Sequence, residues 1–197
     1  QAGYRKFCLD EQQPEGFKQL LQDLQLREKV PTEIVYLWGL ERENEIARSA
    51  SSISLMNLLQ VFCTTGNNQE QSLQVSVATE AAYDVIGTEI LEPEQSEIQG
   101  IIQVVGQEYP AVGARQVDWV SGDHTPKQIA QQLWQELQTK QPPAVVAYRG
   151  GGNNRSWHRW QPTYQPISLS KETPKGSVRL RKGGVYEVVG LSGEKIE

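Results

Sequence analysis

Cysteine and histidine are scarce, with two of each in 197 residues. Cys8 and Cys63 lie far apart, each in an apolar stretch. They have neither the spacing of metal ligands nor the density of a disulfide scaffold, so a reducing compartment is the simpler setting. His124 and His158 have no Cys or His near them at ligand spacing, and no zinc site is expected. An excess of positive charge is also missing: 19 Lys and Arg stand against 24 Asp and Glu, giving −5 and a pI near 5.2. A protein that tracks phosphates needs clustered cations, so nucleic acid is not an expected partner. No apolar run reaches the length of a membrane span, and the opening QAGYRKF lacks the apolar core of a signal peptide. The expectation is a soluble cytoplasmic protein with no membrane partner. A start at Gln1 rather than methionine suits a piece of a longer chain.

What is present is a 38% hydrophobic fraction in a chain of single-domain size. Its apolar residues alternate between two periods. Residues 4–9 read as a strand. Phe17, Leu20, Leu21 and Leu24 then follow helical spacing, with Pro14 and Glu15 at the start and Pro31 as the stop. EIVYLWGL (33–40) is an almost continuous apolar run, the pattern of a strand buried on both faces. Ile46, Ile53, Met56, Leu58 or Leu59, and Phe62 mark a helix over about 44–64, stopped near Gly66. A strand follows at 72–79, then a loop through Leu91. The next helix opens at Pro93 and Glu94, carries Ile98, Ile101 or Ile102, and Val105 on one face, and stops at Pro110. ARQVDWV (114–120) is a strand. TPKQIAQQLWQELQTK (125–140) is a helix with Thr125 as N-cap and Pro126 in its first turn. AVVAYRG (144–150) is a further buried strand, residues 150–175 wrap the outside, and 185–190 form a last strand. Strand and helix alternate four times. The expected fold class is therefore α/β: a truncated Rossmann-like fold, mostly a parallel sheet with helices on both faces.

Such a fold binds a dinucleotide through G-x-G-x-x-G after the first strand of a βαβ unit, and no junction in this chain has it. GLEREN, TEAAYD and SGDHTP follow the successive strands, and these junctions look filled by side chains. RGGGNN (149–154) follows a strand but leads into SWHRWQPTY, which cannot be a phosphate-holding helix start. GLSG (190–193) has only two glycines, with Glu194 where phosphate would lie. His158, among Trp157, Arg159 and Trp160, could meet a carboxylate or a base, although a packing role is the commoner one. Glu41 with Glu43, and Glu92 with Glu94, flank helix starts, where the helix dipole accounts for them. G-x-S-x-G is lacking: LSG at 191–193 has only its second half.

IVYLWGL, SSISLMNLLQ, PEQSEIQGIIQVVGQEYPAVGARQVDW, VAYRGG with RW and PTYQPI, and RLRKGGVYEVVG, in that order, resemble the N-terminal half of the ketoreductase region of modular polyketide synthases and related fatty acid synthases. The resemblance runs from Tyr4 to about Gly190. It implies a structural subdomain over 1–190 with no cofactor site, and a truncated start of the catalytic half, or a tail, over 191–197. NADPH belongs, on this resemblance, to a separate catalytic half. No catalytic, cofactor-binding or metal residue is assigned to this chain, and no small-molecule ligand is expected. The implied role is scaffolding in polyketide biosynthesis, not catalysis by the chain itself. The implied partners are a catalytic ketoreductase subdomain or adjacent enoylreductase, methyltransferase or dehydratase domains of the same polypeptide. Two alternatives stand beside it: half of an NADPH-dependent β-ketoacyl reductase whose catalytic half lies elsewhere, and an independent small-molecule binding domain.

The same reading sets a core. Val35, Leu37, Val75, Val77, Val117, Val145 and Val146 are expected in the sheet, with Leu20, Leu24, Met56, Leu59, Ile98, Ile102 and Leu133 packing on it from the helices. At least one of the segments 4–9 and 185–190 is expected at a sheet edge, where Glu187 can point outward.

Overall fold

A computed structural model describes residues 6–10, 12–40, 51–65, 72–120, 125–139, 143–150, 157–164, 176–180 and 186–190. Its elements are α1 (Pro14–Leu26), β1 (Glu33–Tyr36), a 3-10 turn (Trp38–Leu40), α2 (Ser51–Thr65), β2 (Leu73–Glu80), α3 (Pro93–Glu108), β3 (Val112–Trp119), α4 (Pro126–Leu137), β4 (Val145–Arg149), β5 (His158–Trp160), β6 (Gly176–Leu180) and β7 (Tyr186–Gly190). Strands β1 to β5 form one sheet in the order of the sequence, and β6 pairs with β7 in a separate hairpin. The ladders β1–β2, β2–β3 and β3–β4 are parallel, and β5 joins antiparallel to β4. The fold class is the expected one.

The register divides the core in two. Val75 and Val77 of β2 face a cluster with Phe17 and Leu21 of α1, Leu55, Leu58 and Phe62 of α2, and Ile98, Ile102 and Val105 of α3. Ala78 is next along the same strand, and with Val117, Trp119, Val146 and Tyr148 it faces Leu133 of α4 on the other side. Alternate residues of a strand point to opposite faces, so a strand covered on both sides buries both sets of side chains. Residues 75–79 are indeed buried without a break.

Helix ends follow their local chemistry. Thr125 caps α4 by accepting from the Gln128 amide at 3.3 Å, and the Gln128 side chain accepts from the Thr125 amide at 2.8 Å. Helix α1 stops at Leu26, ahead of Pro31. Glu28 turns left-handed (φ 54°), and the amides of Lys29 and Glu28 donate back to Leu24 and Gln25 at 2.8 and 3.0 Å. These two reversed bonds already satisfy the last carbonyls, so the proline is not needed to end the helix.

Several expectations fail. Residues 6–10 form no strand, and residues 1–5 lie outside the described set. Instead this stretch leads into α1, where Asp10 accepts from the Gln12 amide at 3.1 Å and Gly16 lies so close that a Cβ would meet the Asp10 carbonyl at 2.9 Å. EIVYLWGL is not doubly buried. Only its first half is strand, it lies at the sheet edge, and Val35 and Leu37 are partly exposed because no strand flanks β1 on its outer side among the described residues. Met56 and Ile53 point away from the sheet, while Leu55, Leu58 and Leu59 turn inward. Leu20 and Leu24 are half-buried, whereas the remaining expected core residues are buried. The stretch 150–175 contributes a strand, β5. Ile46, and the start of the helix expected from 44, lie outside the described residues.

Candidate functional site

In open α/β sheets of this kind, ligands bind beyond the carboxyl ends of the parallel strands. In this chain that region holds an ion network. Asp118 near the end of β3 and Arg149 at the end of β4 are paired at 2.7 Å, and Arg149 also donates to Glu89 at 2.9 Å. The three side chains are only 0%, 2% and 2% exposed. Thr79 Oγ1 and the Ala82 amide donate to Asp118 Oδ1 at 2.7 and 2.9 Å. Gln116 Nε2 donates to Thr79 at 3.1 Å, and the Tyr83 hydroxyl donates to Gln116 at 2.6 Å. The remaining guanidinium protons go to the carbonyls of Tyr83, Asp118 and Tyr148. Charges so deeply buried persist only when paired and fully hydrogen-bonded, and these are.

The loop 81–92 is shaped around the network. Ala81 sits left-handed (φ 54°), which turns the Ala82 amide onto Asp118. Val85, Ile86 and Thr88 donate their amides to the Glu89 carboxylate at 2.9 to 3.2 Å. Burial alone would raise the Glu89 carboxyl, but the Val85 and Ile86 amides and Arg149 overrule it and hold it at about 2. Burial pushes the Asp118 carboxyl up, against the pull of the Ala82 amide, Arg149 and Thr79. Tyr83 is also pushed up, by burial and by Asp118. The Val85, Ile86 and Thr88 amides of this loop therefore face a carboxylate of the chain itself.

Just after β1, Gly39 is closely packed: a Cβ there would meet the Ala78 carbonyl and Gln95 Oε1, each at 2.7 Å, while residues 41–50 lie outside the described set. Junctions 121–124 and 151–156, GLSG at 190–193 beyond Gly190, His124, Glu41 and Glu43 lie outside the described residues.

A second buried carboxylate ties α4 to the sheet edge. Glu136 accepts two bonds from Arg159 at 2.9 Å and one from the Tyr148 hydroxyl at 2.5 Å. Arg159, then burial opposed by Tyr148, leave its carboxyl below the usual range. Arg115 donates to the Glu136 carbonyl and to Ser76 Oγ at 2.9 and 2.7 Å. The aromatic-basic run around His158 is thereby split, and the packing role favoured for His158 is not met, because it lies on the exposed edge strand β5. Arg159 goes to Glu136, Trp157 sits edge-on to Tyr148 at 6.1 Å, and His158 is exposed. Cys8 is exposed, while burial raises the Cys63 thiol to about 11. Among the described residues no three His, Cys, Asp or Glu gather as a metal site, and no helix is long and apolar enough to cross a membrane.

With this geometry in place, the family profile described as "Beta-ketoacyl synthase-like, N-terminal" matches residues 1–136, more than half of the chain. The chain belongs to that family. Polyketide synthase PksM of Bacillus subtilis (strain 168) is 28% identical over 141 residues, covering 72% of the chain and 3% of PksM, so the chain spans a small fraction of that relative. Two solved structures share the fold. One is an adenylation, ketoreductase and pseudo Asub multidomain structure of a keto acid-selecting NRPS module (TM-score 0.66, 20% identity, 86% of this chain and 14% of that one). The other is an N-terminal ketoreductase from a macrolactin assembly line (TM-score 0.54, 19% identity, 86% and 36%). An alcohol dehydrogenase from the archaeon Thermococcus sibiricus, complexed with 5-hydroxy-NADP, is also similar (TM-score 0.55, 13% identity, 79% and 75%). The resemblance read from the sequence, to the ketoreductase region of a polyketide synthase, agrees with these matches, and the Rossmann-like fold agrees with all three structures.

Proposed function

We propose that this chain is a non-catalytic, scaffolding subdomain of a polyketide synthase ketoreductase region, spanning residues 1–190, with 191–197 as the start of a following unit or a tail. One observation carries the reading: at the carboxyl ends of β3 and β4 and in the loop after β2, the described side chains Asp118, Arg149 and Glu89 are buried and paired with one another. A cofactor entering there would have to break a buried ion network, and it would find the loop amides already engaged. The chain alone binds neither NADPH nor NADH and reduces no ketone. Its partners are a catalytic ketoreductase subdomain or a neighbouring enoylreductase, methyltransferase or dehydratase domain of the same polypeptide.

The test is a calorimetric titration with NADPH, backed by a turnover assay on a simple ketone. The expected outcome is no saturable heat and no oxidation of cofactor, and saturable micromolar binding would overturn the reading. A second reading is half of an NADPH-dependent β-ketoacyl reductase whose reacting groups lie outside this chain. It is favoured by the match to an N-terminal ketoreductase of which the chain covers only 36%. Repeating the turnover assay on the downstream sequence with and without this chain separates the two readings: reduction by the downstream sequence alone supports the first, and reduction only when this chain is present supports the second.

A further inference from the structure

The helices α2 and α3 leave a groove of about 370 Å³ between them, floored by Leu59, Ile101 and Val105 and rimmed by Met56 and Val104. Met56 is 57% exposed, Val104 46%, and Ile53, one turn before Met56, 56%. Gly100 opens the wall further, since a Cβ there would touch nothing within 4 Å. The composition of α2 is the second observation. It has no charged residue in 15 positions, and its apolar residues extend onto the groove side at Met56 and Leu59. The third is the sign of the charges on α3, which carries Glu94, Glu97 and Glu108 and no Lys or Arg. Glu97 stands at one end of the helix pair, held by the Ser52 hydroxyl at 2.7 Å, and Glu108 lines the other end.

An apolar trough between carboxylates selects its occupant. A second copy docking about a two-fold axis would set acidic ends against acidic ends, which disfavours self-association. A helix with apolar residues at i, i+3, i+4 and i+7 and Lys or Arg at both ends satisfies the floor and the flanks together. We propose that the α2–α3 groove docks such a basic-flanked amphipathic helix from a neighbouring domain of the same polypeptide. This rests on the scaffold reading and names the surface through which the scaffold acts.

Met56 is the only methionine of the chain, so its methyl resonance is a single reporter inside the groove. The probe is a synthetic helical peptide with a leucine stripe at that spacing and lysines at both ends, titrated into the full chain. A second peptide carries glutamates in place of the lysines. The Lys peptide is expected to shift the Met56 methyl saturably and to bind about tenfold more tightly than the Glu peptide. That preference should shrink in the double variant Glu97→Gln, Glu108→Gln, which keeps the Ser52 hydrogen bond possible. Equal binding of the two peptides, or no saturable shift, overturns the proposal. So does a Met56 shift that grows with protein concentration alone, which would give the face to a second copy. The scaffold reading fails on a different measurement, saturable NADPH binding, so the two failures are distinguishable.

Discussion

Arg149 is the residue on which the candidate site depends, because it neutralises two carboxylates that have little access to water. Arg149→Met leaves Asp118 and Glu89 buried without a cation and is expected to cost about 3–5 kcal/mol in urea unfolding. Replacing Arg149, Asp118 and Glu89 together by apolar residues of similar volume should recover little of that loss, because the Ala82, Val85 and Ile86 amides and the Tyr83 carbonyl then lose their partners. Glu28 offers the opposite case. Its left-handed backbone costs an L-residue roughly 1–2 kcal/mol, so Glu28→Gly is expected to raise stability by about 0.5 kcal/mol after the added freedom of the unfolded chain is subtracted. A lower melting temperature in that variant would overturn the assignment of strain. Neither position was singled out by the sequence reading. Arg149, Asp118 and Glu89 come from three elements with no common spacing. The one available signal is charge inside strands, Arg115 and Asp118 in ARQVDWV and Arg149 in AVVAYRG, since charges buried there must find partners.

At the scale of elements, the starts of α1, α3 and α4 were legible because Pro14, Pro93 and Pro126 each suit a first helical turn and nothing before them does. The faces of α2 were not legible. Apolar residues surround this helix, so periodicity could not say which would turn inward. The structure puts Leu55 fully inside and Met56 outside. Leu55→Ala is therefore expected to cost about 2–5 kcal/mol, and Met56→Ala less than about 0.5 kcal/mol, in thermal unfolding. Comparable losses would mean that the helix is rotated. Strand β1 shows a related limit: its apolar run matches a central strand, but position in a sheet is a property of the ladder and is not encoded in any local pattern. β5, at three residues, carries too little pattern to be recognised at all.

For the whole molecule, the class of sheet was legible from the alternation of periods, whereas strand order and the filled strand ends required the structure. The buried carboxylates also set the response to acid. Glu89 has a folded value of about 2 against an ordinary 4.5, so its stabilisation is complete above that ordinary value and is lost as pH falls through about 2. Glu136, also lowered, adds in the same direction. Asp118 has the opposite sign: its raised folded value favours the protonated form, so its contribution is fullest below 3.8 and declines as pH rises through the folded value. Urea midpoints should fall steeply between about pH 5 and pH 2, and Glu89→Gln should flatten that slope; an unchanged slope would remove Glu89 as the cause. The sheet itself has a further consequence, for the order of events during synthesis. Among the described residues, each of its strands is hydrogen-bonded only to strands adjacent in the sequence. No ladder waits for a distant segment, so the sheet can grow strand by strand from β1 as the chain leaves the ribosome. Loop-closure entropy is then met in short steps, and folding need not await whatever is made after it.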